Sequence, residues 1–251
     1  MKKSTYLAII IILSILVIGV STISICLHIS NSSHDTLTPQ STEVSTEPTV
    51  TEAPLRRGTA VPIPDDVRAS MEGKSMKSNA YIDYDDLMYL TIPHYDFNYN
   101  IVEGHLVVNK DLAEELLDIF AELIDVRYPI ERMELIDKYD ADDFTSIEYN
   151  NTSAFNFRMV STGAGHLSNH AYGRAIDINP QQNPYVYTNG RGAHQNAQSF
   201  WQRDISLWPR DIDRAAYIGN DTEIYRIFKK YGWTWGGDWS GEKDYQHFEK
   251  K

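Results

Sequence analysis

Leu7 to Leu27 is a run of 21 mostly aliphatic residues, and no charge falls between Lys3 and its end. About 20 apolar residues in a helix span the hydrocarbon core of a bilayer, so residues 1–30 read as a membrane anchor. A secretory signal peptide is the competing reading, but its apolar region is usually about 7–15 residues. Lys2 and Lys3 ahead of the run favour a cytoplasmic N-terminus. The expected topology is a single-pass protein of the cell membrane with its folded part extracytoplasmic. The pattern then changes. Residues 31–60 hold no aromatic side chain, and Ser, Thr, Pro and Glu fill 17 of the 30 positions. Such a stretch buries too little apolar surface to offset its ordering entropy and reads as a disordered stalk.

From residue 61 to 251 the pattern is that of a folded domain. Pro64-Asp65 opens a short helix, with Asp65 or Asp66 as its cap. Leu87 to Tyr95 and Gly104 to Val108 read as strands around a turn-rich Asp96-Phe-Asn-Tyr-Asn100. Asn109 caps the clearest helix, Lys110 to about Val126, in which Leu112, Leu116, Ile119, Phe120 and Leu123 share a face. Ile130 to Ile136 and Phe155 to Val160 are further strand candidates, and polarity alternates over Arg174 to Asn179. Asp221 or Thr222 caps a helix carrying Ile224, Ile227 and Phe228, which Gly232 stops. Trp233-Thr234-Trp235 and Tyr245 to Phe248 close the list of strands. Residues 181 to 220 show no legible period. Helices and antiparallel strands mix without a βαβ rhythm, so the fold class is α+β, a small antiparallel sheet flanked by helices.

Composition sharpens this. The 251 residues include 5 Trp, 16 Tyr and 8 Phe, and of these only Tyr6 precedes residue 81. The formal net charge of −12 argues against a nucleic-acid binder, whose affinity rests on Lys and Arg against phosphate. A single cysteine excludes an internal disulfide framework and a multi-cysteine metal site.

Two histidines stand in suggestive company. His170 lies in Leu167-Ser-Asn-His-Ala-Tyr-Gly-Arg-Ala-Ile-Asp-Ile-Asn-Pro180, and His247 in Asp244-Tyr-Gln-His-Phe-Glu249. Asp177, flanked by core-facing Ile176 and Ile178, is semi-buried and needs a partner. His170 and Asp177 could hold one side of a zinc ion, with His247 as third ligand, leaving a fourth position open as in catalytic zinc sites. Asp244 would then be free to act as base, provided it lies at the start of its strand or at a bulge, since i and i+3 on an ideal strand face opposite ways. The alternatives are hydrogen-bonded structural histidines without metal, or a Ser168–His170–Asp triad, although Ser and His two residues apart rarely aim at each other. His94 and His105 read as surface residues, His166 as a polar loop residue rather than one supporting the ligands, and His194, in a Gly-rich neighbourhood, as one that does not line the cleft. Trp233, Trp235 and Trp239 read as core or rim aromatics, one of which could wall a cleft.

Ser168-x-His170-x-x-Gly173-x-Ala175-x-Asp177 followed by Asp244-x-x-His247 resembles the signature of the zinc D-Ala-D-Ala carboxypeptidase family, which includes the L-alanyl-D-glutamate endopeptidases. Asn151-Thr-Ser-Ala-Phe-Asn-Phe-Arg158 before it, Asn183-Pro-Tyr-Val186 after it and Gly232-Trp-Thr-Trp-Gly-Gly-Asp-Trp239 near the end resemble the same family. The resemblance implies a zinc DD-peptidase (hedgehog-like) fold and a zinc metallopeptidase that hydrolyses peptidoglycan stem peptides; a monomer is the expected state. It implies His170, Asp177 and His247 as ligands of Zn2+, Asp244 as catalytic base and Arg158 as the group that steadies the polarised carbonyl. It places Ser168 and Tyr245 near the substrate. Asp rather than Glu at position 244 sides with the endopeptidase-type members, without excluding a carboxypeptidase. A non-catalytic module binding zinc or wall peptide is the alternative, which retention of the base argues against.

Overall fold

The computed structural model describes residues 57–160 and 165–251. The anchor and most of the stalk lie outside the described residues, and among those described no helix is long and apolar enough to cross a membrane. Strand β1 (Thr59–Pro62) begins the fold, so Thr59 and Ala60, read as stalk, are paired strand. Just before it, Arg57 is clamped to Glu114 and Asp118 at 2.7 Å each. Helix α1 (Asp65–Met71) follows, capped by Pro64 rather than by an aspartate. Asp65 and Asp66 sit inside its first turn, where a carboxylate complements the helix dipole.

β2 (Leu87–Tyr95) and β3 (Ile101–Asn109) form the longest ladder, an antiparallel hairpin to which β1 adds as third strand. The second strand is longer than its polarity suggested, because its exposed N-terminal half is apolar on no consistent face. Alternation puts Leu90, Ile92 and His94 on the inner side of β2. His94 is therefore buried, not a surface residue, and burial lowers its pKa toward the neutral ring. Asn109 caps as expected, but the first turn it caps is a 3-10 helix, Lys110–Leu112. Helix α2 (Ala113–Asp125) then buries Leu116, Leu117, Ile119, Phe120, Leu123 and Ile124 against the hairpin. Each such side chain, fully buried, contributes about 1.5–3 kcal/mol.

The expected strand over 130–136 shrinks to β4 (Arg132–Met133), which pairs in parallel with β5 (Asn151–Thr152), the first strand after helix α3 (Asp143–Glu148). Residues 155–160 form no strand. Their backbone groups pair with loops instead: Asn156 N–H donates to the His170 carbonyl and Phe157 N–H to that of Ser75.

A second three-stranded antiparallel sheet, in the order β6 (Ala175–Asp177), β10 (His247–Glu249), β8 (Thr234–Trp235), carries the motif residues. Between these strands run β7 (Tyr185–Val186), helix α4 (Asp211–Ala215) and helix α5 (Glu223–Lys230), whose cap is Thr222. β7 pairs with β9 (Lys243–Asp244). Phe248 of β10 stacks on Phe228 of α5 at 4.0 Å between ring centres, fixing the motif sheet to the main core. The architecture is mixed helix and small sheets, mostly antiparallel: four sheets among the described residues rather than the single one expected.

Candidate metal centre

The register between β6 and β10 sets His247 directly opposite Asp177. His170 reaches the same place from a short 3-10 turn, Asn169–Tyr172, which the Ser168 side chain caps by accepting from the His170 N–H at 3.3 Å. Gly173 ends that turn at φ +64°, where a side chain would be strained. A Cβ there would lie 2.5 Å from the Asn109 nitrogen, so the residue is required twice over.

The three side chains converge. His170 Nε2 lies 3.2 Å from His247 Nδ1 and 3.3 Å from Asp177 Oδ2, and His247 Nδ1 lies 2.9 Å from Asp177 Oδ1. All three are buried. Donor atoms held about 2.0–2.1 Å from a tetrahedral zinc stand roughly 3.3 Å from one another, so the spacing fits that ion. The protons fit as well. The Ala154 carbonyl accepts from His170 Nδ1 at 2.6 Å, which leaves a lone pair on Nε2. The Glu249 carboxylate faces His247 Nε2 at 3.1 Å and leaves a lone pair on Nδ1 of the neutral ring. Two imidazole lone pairs and a carboxylate then point at one spot, an arrangement that asks for a cation.

Without the ion, a proton takes its place. Burial would lower the His247 pKa, but its hydrogen bonds to Asp177 and Glu249 raise it to about 10. Burial would raise Asp177, yet the two histidines beside it outweigh that and hold its carboxyl below the usual range. The bond to His247 draws Glu249 down to about 2. Glu249 also accepts from Asn169 Nδ2 at 2.7 Å, which ties it to the turn bearing His170. Neither Glu249 nor Asn169 was singled out in the sequence. A carboxylate two residues past a histidine on a strand points to the same side, and that signal was present.

Asp244 ends β9, Tyr245 and Gln246 interrupt the strand, and His247 begins β10. This break resolves the facing problem of a Asp-x-x-His spacing. The Asp244 Oδ1 atom is buried without a hydrogen-bond partner. Burial and the nearby Asp177 carboxylate push its pKa to about 7, against the pull of His247 and Arg158. Gly236 lies against its backbone: a Cβ there would come within 2.4 Å of the Asp244 carbonyl oxygen. Arg158 forms an ion pair with Asp143 and donates to the Met159 carbonyl. Trp239 stands 5.6 Å from His247 between ring centres and is 38% exposed, so it is the tryptophan beside the site, while Trp233 and Trp235 are core. Tyr245 turns the other way, packing on Trp235 under the Arg203 guanidinium. His166 is exposed, and His194 is buried against the Phe144 ring.

This set of a His-Asp-His trio, a carboxylate three residues before the last histidine and the turn glycine covers one C-terminal stretch. Residues 162–250 match the D-alanyl-D-alanine carboxypeptidase family. The matched residues include His170, Asp177, Asp244 and His247, and begin just after Arg158. The family match supports a peptidase, hence a hydrolase, that acts on peptidoglycan. No solved structure matches the chain.

Proposed function

We propose that the protein is a zinc-dependent metallopeptidase that hydrolyses a peptide bond in peptidoglycan stem peptides, as a D-Ala-D-Ala carboxypeptidase or an L-Ala-D-Glu endopeptidase. The observation that carries the reading is the convergence of three metal-capable atoms beside a buried, unpartnered Asp244 carboxylate oxygen. His170 Nε2, Asp177 and His247 Nδ1 would hold the ion. When bound, it would supply a Lewis acid for the scissile carbonyl and for water. Asp244 takes a proton from the attacking water as the oxygen adds to the carbonyl carbon. It returns that proton to the amine nitrogen as the C–N bond breaks. A base whose pKa lies near neutrality suits both transfers. The Arg158 guanidinium steadies the negative charge that develops on the carbonyl oxygen. Trp239 offers an aromatic wall for the peptide, and Ser168 acts by capping the turn that aims His170.

The fold is read as the zinc DD-peptidase (hedgehog-like) type. The apolar run at 7–27 and the stalk after it would hold this domain outside the cell membrane, where its polymer substrate lies.

The test combines metal analysis with mass spectrometry of purified muropeptides after digestion. One zinc per chain, cleavage that a chelator abolishes and loss of cleavage in His170→Ala are expected. The mass of the released fragment, one D-Ala or a longer piece, names the bond. Cleavage by His170→Ala at the wild-type rate would overturn the reading.

A further inference from the structure

Asp143 opens α3 and is tied down on its own side. Asp142 caps that helix by accepting from the Thr145 N–H at 2.7 Å. Asp143 Oδ1 accepts from Asn156 Nδ2 at 2.9 Å, and the same amide donates to the Ala141 carbonyl at 3.1 Å. Its other oxygen pairs with Arg158 Nε. The segment between Asn156 and Arg158 belongs to the metal centre's frame. Asn156 N–H donates to the His170 carbonyl, Ser168 N–H donates to the Arg158 carbonyl, and just upstream the Ala154 carbonyl accepts a hydrogen bond from His170 Nδ1. Asp143 thus joins the side chains of this segment to a helix end, at a pair only partly exposed, 23% for Arg158 and 31% for Asp143. The contact is an ion pair between charged groups, and its partial burial screens it less than a surface bridge is screened, so it restrains the side chain more firmly.

From these contacts we infer that Asp143 is a positioning residue that sets where the Arg158 guanidinium stands in the reaction. It touches neither the metal-capable atoms nor Asp244, and its effect on the reaction is assigned to its contact with Arg158 rather than to the one with Asn156. The inference rests on the peptidase reading above and adds to it a residue outside the family match, which starts at 162.

The experiment uses the full chain, zinc-loaded, with purified stem-peptide fragments as substrate. Asp143→Ala should lower kcat about 10–100-fold with KM little changed, since misplacing a catalytic group by an ångström has that effect. Asp143→Glu should recover part of the loss, and zinc content should stay at the wild-type level in both. The double variant Asp143→Ala, Arg158→Ala should be no slower than Arg158→Ala alone, because Asp143 has nothing left to position. A merely structural role would instead add its loss to that of Arg158→Ala. If Arg158→Ala is slow while Asp143→Ala matches wild type, or if the two losses multiply, the inference falls and the peptidase reading stands. If Arg158→Ala is as fast as wild type, Arg158 has no catalytic part and the inference falls with it.

A readout without substrate separates the two ideas fully. In nitrogen-15 spectra the Arg158 Nε–H should give a sharp, shifted signal in the wild type and collapse to the free-arginine position in Asp143→Asn. An unchanged signal overturns the inference whatever the chain cleaves.

Discussion

At the scale of single residues, Asp244 serves two ends that pull apart. Its folded pKa, about 7, lies above the ordinary aspartate value of 3.8, so the native state holds the proton more tightly than the unfolded chain does. The corresponding stability is full below pH 3.8 and is lost as pH rises toward 7. In metal-free protein, His247 adds a loss of the same sign, beginning at its unfolded value of 6.5 and running to about 10. Chemical denaturation of metal-free protein should therefore show lower stability at pH 8 than at pH 5. Asp244→Asn should remove a few kcal/mol of that difference, of order ~1.4 kcal/mol per unit of pKa displacement, while lowering cleavage by at least about 100-fold. A variant that is both inactive and no more stable at pH 8 would show that the carboxylate is not strained by burial. In the zinc-loaded enzyme the base must be ionised, so kcat/KM should rise with pH along an acid limb at or below 7, since a bound dication favours the carboxylate. Glu249 belongs to the same scale. Glu249→Leu should leave the three ligands in place yet weaken zinc binding about 10–100-fold in a chelator competition, because His247 loses the acceptor that fixes its ring.

Elements carry the site through two features, a register and a break. Pairing of β6 with β10 places His247 against Asp177, and the interruption at Tyr245-Gln246 lets Asp244 and His247 serve one site. Gly236 is what allows β9 to run so close. Gly236→Ala should displace Asp244, reducing kcat about 100-fold with a stability cost of about 1–3 kcal/mol, read by kinetics and urea midpoints together. A large stability loss with kcat retained would assign Gly236 to packing alone. The elements that sequence revealed are those with a period. α2 declares itself by its 3.6-residue apolar face and β2 by its apolar and aromatic run bounded by turn residues. The ligand histidines stood out by their spacing to Asp177 and Asp244. Residues 181–220 stayed silent because their turns are held by side chains reaching backbone. Arg203 binds the carbonyls of Gln182 and Ile218, and Asn183 accepts from the Ile218 N–H. Such long-range hydrogen bonds leave no local pattern. His94 was misread because its polarity concealed its place on the inner face of β2. The role of Glu249 emerges only once His247 is known to lie on a strand, where residues two apart face the same side.

Across the whole molecule, the site gathers groups that are far apart in the chain, with Asp177 and His247 separated by 70 positions. Two of the three ligand positions thus bracket the loop that carries β7, α4, α5, β8 and β9. Zinc should raise the thermal midpoint in step with the logarithm of its free concentration above Kd, as for any ligand bound only by the folded state. A scan at several buffered zinc levels checks this, and a midpoint indifferent to zinc would deny the folded state its preference. The convergence has one more consequence. An ion shared between Asp177 and His247 is a removable cross-link, and by loop-closure entropy a clasp on a 70-residue loop is worth on the order of 4 kcal/mol. Stripping the metal should then do more than stop the chemistry. It should loosen the bracketed loop first, so that a brief protease pulse in the presence of chelator nicks the chain between 181 and 220 while the β2–β3 hairpin survives. The lifetime of the protein among other hydrolases would follow the local supply of its metal.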